Sequence, residues 1–158
     1  MAGRSGGLRG ATVADSTICF IDGEEGTLEY FGYPIQALAK HSTFEEVVFL
    51  LWNGHLPSES ELAALDAELK ENRDVPSAIW DLGRSLPTGA VPMEALRTAV
   101  SALSAFDPDG DDNSVEASKR KATRIQAKSP TVIAGLYRIS QGNDPVVPDK
   151  SLSIAADF

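Results

Sequence analysis

The stretch from Pro92 to Ser140, broken once by an acidic link and once by an internal proline, constrains this chain more than any other part of it. Its first half reads Pro92-Met93-Glu94-Ala95-Leu96-Arg97-Thr98-Ala99-Val100-Ser101-Ala102-Leu103. Pro92 suits a first helical position, where its missing N–H would be unpaired anyway and its ring presets φ. Met93, Leu96, Val100 and Leu103 recur at helical spacing on one expected apolar face. Ala95, Ala99 and Ala102 keep much of the remainder small, which suits close packing on two fronts. After the acidic link 106–112 a long helix is expected from near 113 to 140, with Asn113 and Glu116 as reciprocal caps and Gly142 as terminator. Pro130 inside it deletes one backbone hydrogen bond and predicts a kink. Before the proline this helix is polar (Lys119, Arg120, Lys121, Arg124). After it, Val132, Ile133, Ala134, Leu136, Tyr137 and Ile139 are apolar almost all round, which implies burial against another subunit or domain.

The earlier sequence adds one hairpin and several short helices. Thr17 to Ile21 and Thr27 to Phe31 flank a five-residue loop, 22–26, whose glycines supply positive φ. Pro34 opens a helix to about Lys40. Thr43 with Glu46, and Ser58 with Glu61, are capping boxes. Val47, Val48, Leu50, Leu51 and Trp52 follow the first, up to Gly54, and Leu62, Leu65 and Leu69 make a narrow stripe after the second. Pro76 begins a helix with Ile79, Trp80 and Leu82 on its buried side, ending near Pro87. At the end of the chain Ser151 is placed to cap a last helix with Leu152, Ala155, Ala156 and Phe158 on its apolar stripe. The architecture is mainly α with an N-terminal β-hairpin.

Bulk properties exclude several classes. A chain of 158 residues can bury a sizeable core, removing about 70% of its unfolded surface. A net charge of −9 argues against nucleic acid as partner, since phosphate backbones require a concentrated basic surface. Arg120, Lys121, Arg124 and Lys128 do cluster, and the preferred reading is a solvated helix face with acidic neighbours. Cys19 is the sole cysteine, so no internal disulfide forms, which suits a reducing cytoplasm. It lies in an alternating apolar run and reads as a small buried residue. No apolar run approaches the length of a membrane span. The small, Gly-rich opening reads as a flexible leader.

Groups that carry chemistry are sparse. His41 and His55 read as structural or surface residues. No Ser-His-Asp spacing, no His/Cys metal cluster and no phosphate loop occurs. Asp107, Asp109, Asp111 and Asp112 lack the closing Glu of a calcium loop and read as a solvated linker.

The order of segments carries more than any one of them. PMEALRTAVSAL, FDPD, NSVEASKRKATRIQAKSPTVIAGLYRISQG and PVVPDKSLSIAADF follow STICFIDGEEGTLEYFGYPIQALAKHSTFEEVVFLLWNGHLPSESEL. From about Gly7 to Phe158 this order resembles the amino-terminal part of a citrate synthase of the shorter bacterial and archaeal type, a group that includes 2-methylcitrate synthases. The resemblance implies a citrate-synthase-like large helical domain, its first part at 11–158 ahead of the catalytic motifs, with a leader at 1–10. It implies an acyltransferase that converts acetyl-CoA, oxaloacetate and water to citrate and CoA in the tricarboxylic acid cycle. No bound cofactor is expected; acetyl-CoA is a co-substrate. Also expected are a homodimer through helices near 92–106 and 113–141, small-molecule substrates, no nucleic acid or membrane partner, and a cytoplasmic location. A charge at Ala99 or Val132 is expected to weaken the dimer.

In that family the reacting groups sit around a Gly-Pro-Leu-His-Gly-Gly run, a Gly-Phe-Gly-His-Arg-Val run and a later aspartate, and none of these occurs here. No catalytic residue is therefore assigned, and this stretch alone is expected to be inactive. Arg9 resembles an arginine that touches CoA in the larger enzymes. Phe31 replaces the arginine of a usual Tyr-Arg-Gly-Tyr, Val91 the histidine of His-Pro-Met, and Ile154 a frequent polar residue. Two alternatives remain: a 2-methylcitrate synthase using propionyl-CoA, or a non-catalytic truncated paralogue serving as a helical dimerisation module.

Overall fold

The computed structural model describes residues 15–87 and 89–158 and is mainly helical. The leader at 1–10, with Arg9, lies outside the described residues. Two compact units divide the chain, 1–57 and 58–158.

In the first unit, β1 (Cys19–Asp22) pairs antiparallel with β2 (Thr27–Tyr30), Asp22 opposite Thr27. The loop is shorter than expected because Asp22 joins the ladder, and its Oδ1 accepts from the backbone N–H groups of Glu24 and Glu25 at 2.9 and 3.0 Å. A third strand, β3 (Tyr33–Pro34), was not foreseen in the sequence; it pairs with β2 through a turn at Phe31-Gly32. Both turn residues have positive φ, 47° and 81°, which suits a two-residue hairpin and is unusual for a bulky side chain. The Phe31 ring lies beside Gly54, 3.4 Å from where a Cβ would sit. Cys19 is exposed, contrary to expectation, and so are Phe20 and Ile21 beside it, so among the described residues neither face of β1 is covered.

Helix α1 (Ile35–His41) packs on β2 and β3, and α2 (Phe44–Asn53) begins at the expected capping box. There Thr43 Oγ1 accepts from the Glu46 N–H at 3.2 Å, while Glu46 accepts from the Thr43 N–H at 2.6 Å. Gly54 closes α2 in the left-handed region, as its lack of a Cβ allows.

The second unit comprises α3 (Glu59–Glu71), α4 (Ser77–Ser85), α5 (Pro92–Leu103), a 3-10 turn at 104–106, α6 (Val115–Ser140) and α7 (Ile154–Asp157). Ser58 and Glu61 cap α3 reciprocally. The core joins Ile79 of α4, Ala99 and Leu103 of α5 and Val132 of α6, with Val75, Trp80, Leu96, Ala102 and Leu136 packed around them. The inner face of α5 is thus Leu96, Ala99 and Leu103, and Met93, expected on it, is 69% exposed. A small residue at 99 is what a close crossing of helices requires.

Two further starts differ from expectation. The cap of α6 is Ser114, whose Oγ accepts from the Ala117 N–H at 3.2 Å; Asp112 holds the Ser114 N–H at 2.9 Å and moves the cap one residue past Asn113. The cap of α7 is Ser153, since Asp149 Oδ1 already engages Ser151 through its N–H and hydroxyl at 2.8 and 2.7 Å. Helix α6 is continuous through Pro130. Beyond it Val132 is fully buried, but Ile133 and Tyr137 remain 41% and 68% exposed, so the all-round burial read from the sequence is only half met within the chain.

Candidate functional site

The acidic link and the first half of α6 fold onto each other. Residues 107–112 turn tightly: the Asp109 N–H donates to Asp107 Oδ1 at 2.9 Å, and Gly110 takes a positive φ of 47°. Helical spacing puts Arg120, Arg124 and Lys128 along one side of α6. Arg124 grips Asp107 with two bonds, Nε at 2.9 Å and Nη2 at 2.7 Å, and also donates to Asp109. Arg120 holds Asp109 through Nε at 3.1 Å and Nη2 at 2.5 Å. Lys121 caps the link's carbonyls at Gly110 and Asp112, both at 2.6 Å.

This pairing sets the electrostatics. The Arg124 guanidinium holds the Asp107 carboxyl below its ordinary value. Arg120 first, then Arg124, holds Asp109 far below the usual carboxylate range. Both are ionised at neutral pH and committed to arginines, so neither is a candidate base. The basic cluster is therefore largely consumed by its acidic neighbours rather than being the solvated face expected, and Asp107 and Asp109 form a tie for the link rather than a solvated linker, because the link folds back onto α6.

Beside the tie lies a cleft of about 470 Å³, walled by Val100, Leu103, Phe106 and Ile125, with Arg124 and Lys128 at its polar side. The Lys128 ammonium donates to the Asn72 carbonyl at 2.6 Å, and burial pushes its pKa down. No pair of groups poised for proton transfer lines this cleft.

The remaining candidates stay apart. His41 ends α1 and is exposed. His55 is exposed in the loop after α2; its Nδ1 lies 3.0 Å from the Leu56 carbonyl and its ring stands edge-on to Phe49 at 5.4 Å. Among the described residues no group of His, Cys, Asp and Glu could hold a metal ion, and no helix is long and apolar enough to cross a membrane. Sequence reasoning missed Arg73. It follows the C-terminus of α3 and is 1% exposed.

Residues 7–158 match the family model described as "Citrate synthase, C-terminal domain". The chain is 46% identical over 156 residues to a citrate synthase of Haloferax volcanii, covering 96% of this chain and 41% of that protein. It is 39% identical over 152 residues to a 2-methylcitrate synthase of Mycobacterium tuberculosis, covering 96% and 38%. The crystal structure of citrate synthase from Pyrobaculum aerophilum superposes with a TM-score of 0.86 at 36% identity, covering 96% of this chain and 40% of that one. The chain thus spans about 40% of the length of these relatives.

Proposed function

The chain belongs to the citrate synthase family, and from that premise we propose that the protein of which it forms the amino-terminal part of the large domain condenses acetyl-CoA with oxaloacetate. The observation that carries this is the unbroken match over residues 7–158 with the same helical frame. In the reaction a carboxylate removes a proton from the acetyl methyl while a histidine stabilises the enolate-like oxygen. The resulting carbon attacks the ketone of oxaloacetate, a second histidine acting on that oxygen. Water then cleaves the thioester to release citrate and CoA. The motifs for these groups are absent from the 158 residues, so this stretch supplies frame and not reacting atoms.

Thiol release from acetyl-CoA in the presence of oxaloacetate tests the proposal. The 158-residue chain should not exceed a no-protein control, because losing every reacting group removes several orders of magnitude of rate. A protein carrying this chain together with both histidine motifs should turn over, and silence with every acyl-CoA tried would refute the reading. Similarity to a 2-methylcitrate synthase supports a second reading, in which propionyl-CoA is preferred; the ratio of kcat/KM for the two thioesters decides it. Arg9 is proposed as a CoA contact, and Arg9→Ala should raise the KM for acetyl-CoA with kcat little changed.

A homodimer through α5 and α6 is part of the same proposal, with the cytoplasm as its location. Ala99 and Val132 are unsuitable probes for it, since they lie in the chain's own core at 1% and 0% exposure. Met93, Ile133 and Tyr137, exposed on the same helices, are among the apolar side chains available to a partner. The absence of catalytic motifs leaves the non-catalytic dimerisation module as the remaining alternative. A dimer formed by a protein inactive with both thioesters would favour it.

A further inference from the structure

Lys128 stands half-buried on the polar side of the cleft between α5 and α6, facing walls built from Val100, Leu103, Phe106 and Ile125. Ile125 precedes it by three residues on α6, so the two share a side of that helix. The cleft volume of about 470 Å³ falls in the range of small-molecule sites, roughly 300–1,000 Å³.

The partner of Lys128 differs from those of other lysines. Lys70 is bound to Asp66 at 2.6 Å, and Lys150 to Asp74 at 2.8 Å. A carboxylate favours the ammonium form; Asp74, with Glu71 behind it, holds Lys150 above its ordinary pKa. Lys128 donates instead to an uncharged oxygen, the Asn72 carbonyl, at 2.6 Å. A neutral amine still has N–H groups for that bond and keeps its lone pair free. The surroundings favour loss of the proton. Burial first, then the Arg124 guanidinium, push the Lys128 pKa down; Asp74 and Asp107 oppose them, and the Lys150 ammonium adds a further push down. Asp107 is itself committed to Arg124 through two bonds. Desolvation in an apolar pocket beside another cation is one route by which a lysine becomes a nucleophile.

We propose that Lys128 is a covalent modification site, an amine on the cleft wall that accepts acyl groups from acyl thioesters. The neutral Nζ attacks the thioester carbonyl, an N–C bond forms and the C–S bond breaks. The thiolate leaves, and the proton shed by the nitrogen passes through solvent to it, so the products are an amide and a free thiol. The apolar walls receive the acyl end of the thioester. The amide keeps one N–H for the Asn72 carbonyl, and the cleft loses a positive charge. Acetyl-CoA as the donor rests on the condensation proposed above; the setting of the amine does not.

Incubating the 158-residue chain with acetyl-CoA at pH 8 and following each lysine by mass spectrometry tests this without any synthase turnover. Lys128 should be acetylated about threefold or more faster than the exposed Lys40 and Lys119. Ile125→Trp, at a wall position that is itself 44% exposed, should fill the cleft and cancel that advantage while Lys40 and Lys119 keep their rates. Asp74→Asn removes a carboxylate that favours the ammonium and should raise the Lys128 rate; it decides the matter where Ile125→Trp does not fold. A Lys128 rate at or below those of Lys40 and Lys119 would overturn the proposal. So would an advantage that survives in Ile125→Trp, or a rate unmoved by Asp74→Asn. Such a failure leaves the condensation untouched, since that is read from turnover by a protein carrying both histidine motifs.

Discussion

At Gly135 and Gly83 the absence of a side chain sets how closely α4 and α6 approach. A Cβ on Gly135 would meet the Trp80 ring at 2.5 Å, and one on Gly83 would meet Leu136 Cδ2 at 2.8 Å. The indole is rigid, whereas the leucine methyl can turn away. Gly135→Ala should therefore destabilise by about 1–3 kcal/mol in urea denaturation. Gly83→Ala should cost less, since the gain in helix propensity of about 1 kcal/mol offsets part of the clash. At the same scale, Asp107 and Asp109 have folded-state pKa values lowered by Arg124 and Arg120. As pH falls past the unfolded carboxylate value of about 3.9, the unfolded chain takes up protons that the folded one refuses. The stability from these pairs is thus complete at neutral pH and drains away below about pH 5. Urea midpoints between pH 7 and pH 3 should fall less steeply in Asp107→Asn than in the parent. The flattening is partial, because Asp112 and Asp149 are also lowered, by hydrogen bonds from Ser114 and Ser151.

Among the elements, the caps were the most legible. Thr43 and Ser58 each satisfy helix N–H groups that would otherwise stay unpaired, and both were identified by a Glu three residues on. Thr43→Ala should cost about 1 kcal/mol, read as faster amide exchange over 44–53 with 59–71 unaffected; Ser58→Ala should show the reverse pattern. Where two acceptors compete nearby, the same reasoning slipped. Asn113 and Ser114, and Ser151 and Ser153, are equally good caps by residue type, and Asp112 and Asp149 settle which is used. Strand β3 was missed for a related reason: two residues carry no periodicity, and the turn before it places a phenylalanine where positive φ favours Asn or Gly.

For the whole molecule, exposed apolar side chains dominate the expected behaviour. Met93, Val115, Ile133, Tyr137, Val147 and Phe158 are each more than a third exposed. The 158-residue chain should bind a hydrophobic dye and self-associate, as apolar patches beyond a few hundred Å² do. Met93→Glu and Tyr137→Glu should shift sedimentation toward the monomer without lowering the melting temperature, because neither side chain is in the core. An unchanged, fully associated profile for both would place the contact elsewhere.

Taken by itself, the sequence determined most of the elements, the caps of α2 and α3, the mainly helical class and, through the order of its segments, the family. Those features depend on neighbours three or four residues apart and are written locally. Only the tertiary structure decided which side of α5 is core, that Ala99 and Val132 face inward, that the basic stretch of α6 is spent on Asp107 and Asp109, and that Arg73 is buried. Each of these is set by a partner distant in the chain: Arg124 reaches back 17 residues to Asp107, and Arg73 reaches 76 residues forward to Asp149. Local periodicity carries no information about such pairings, which follow from how the helices cross.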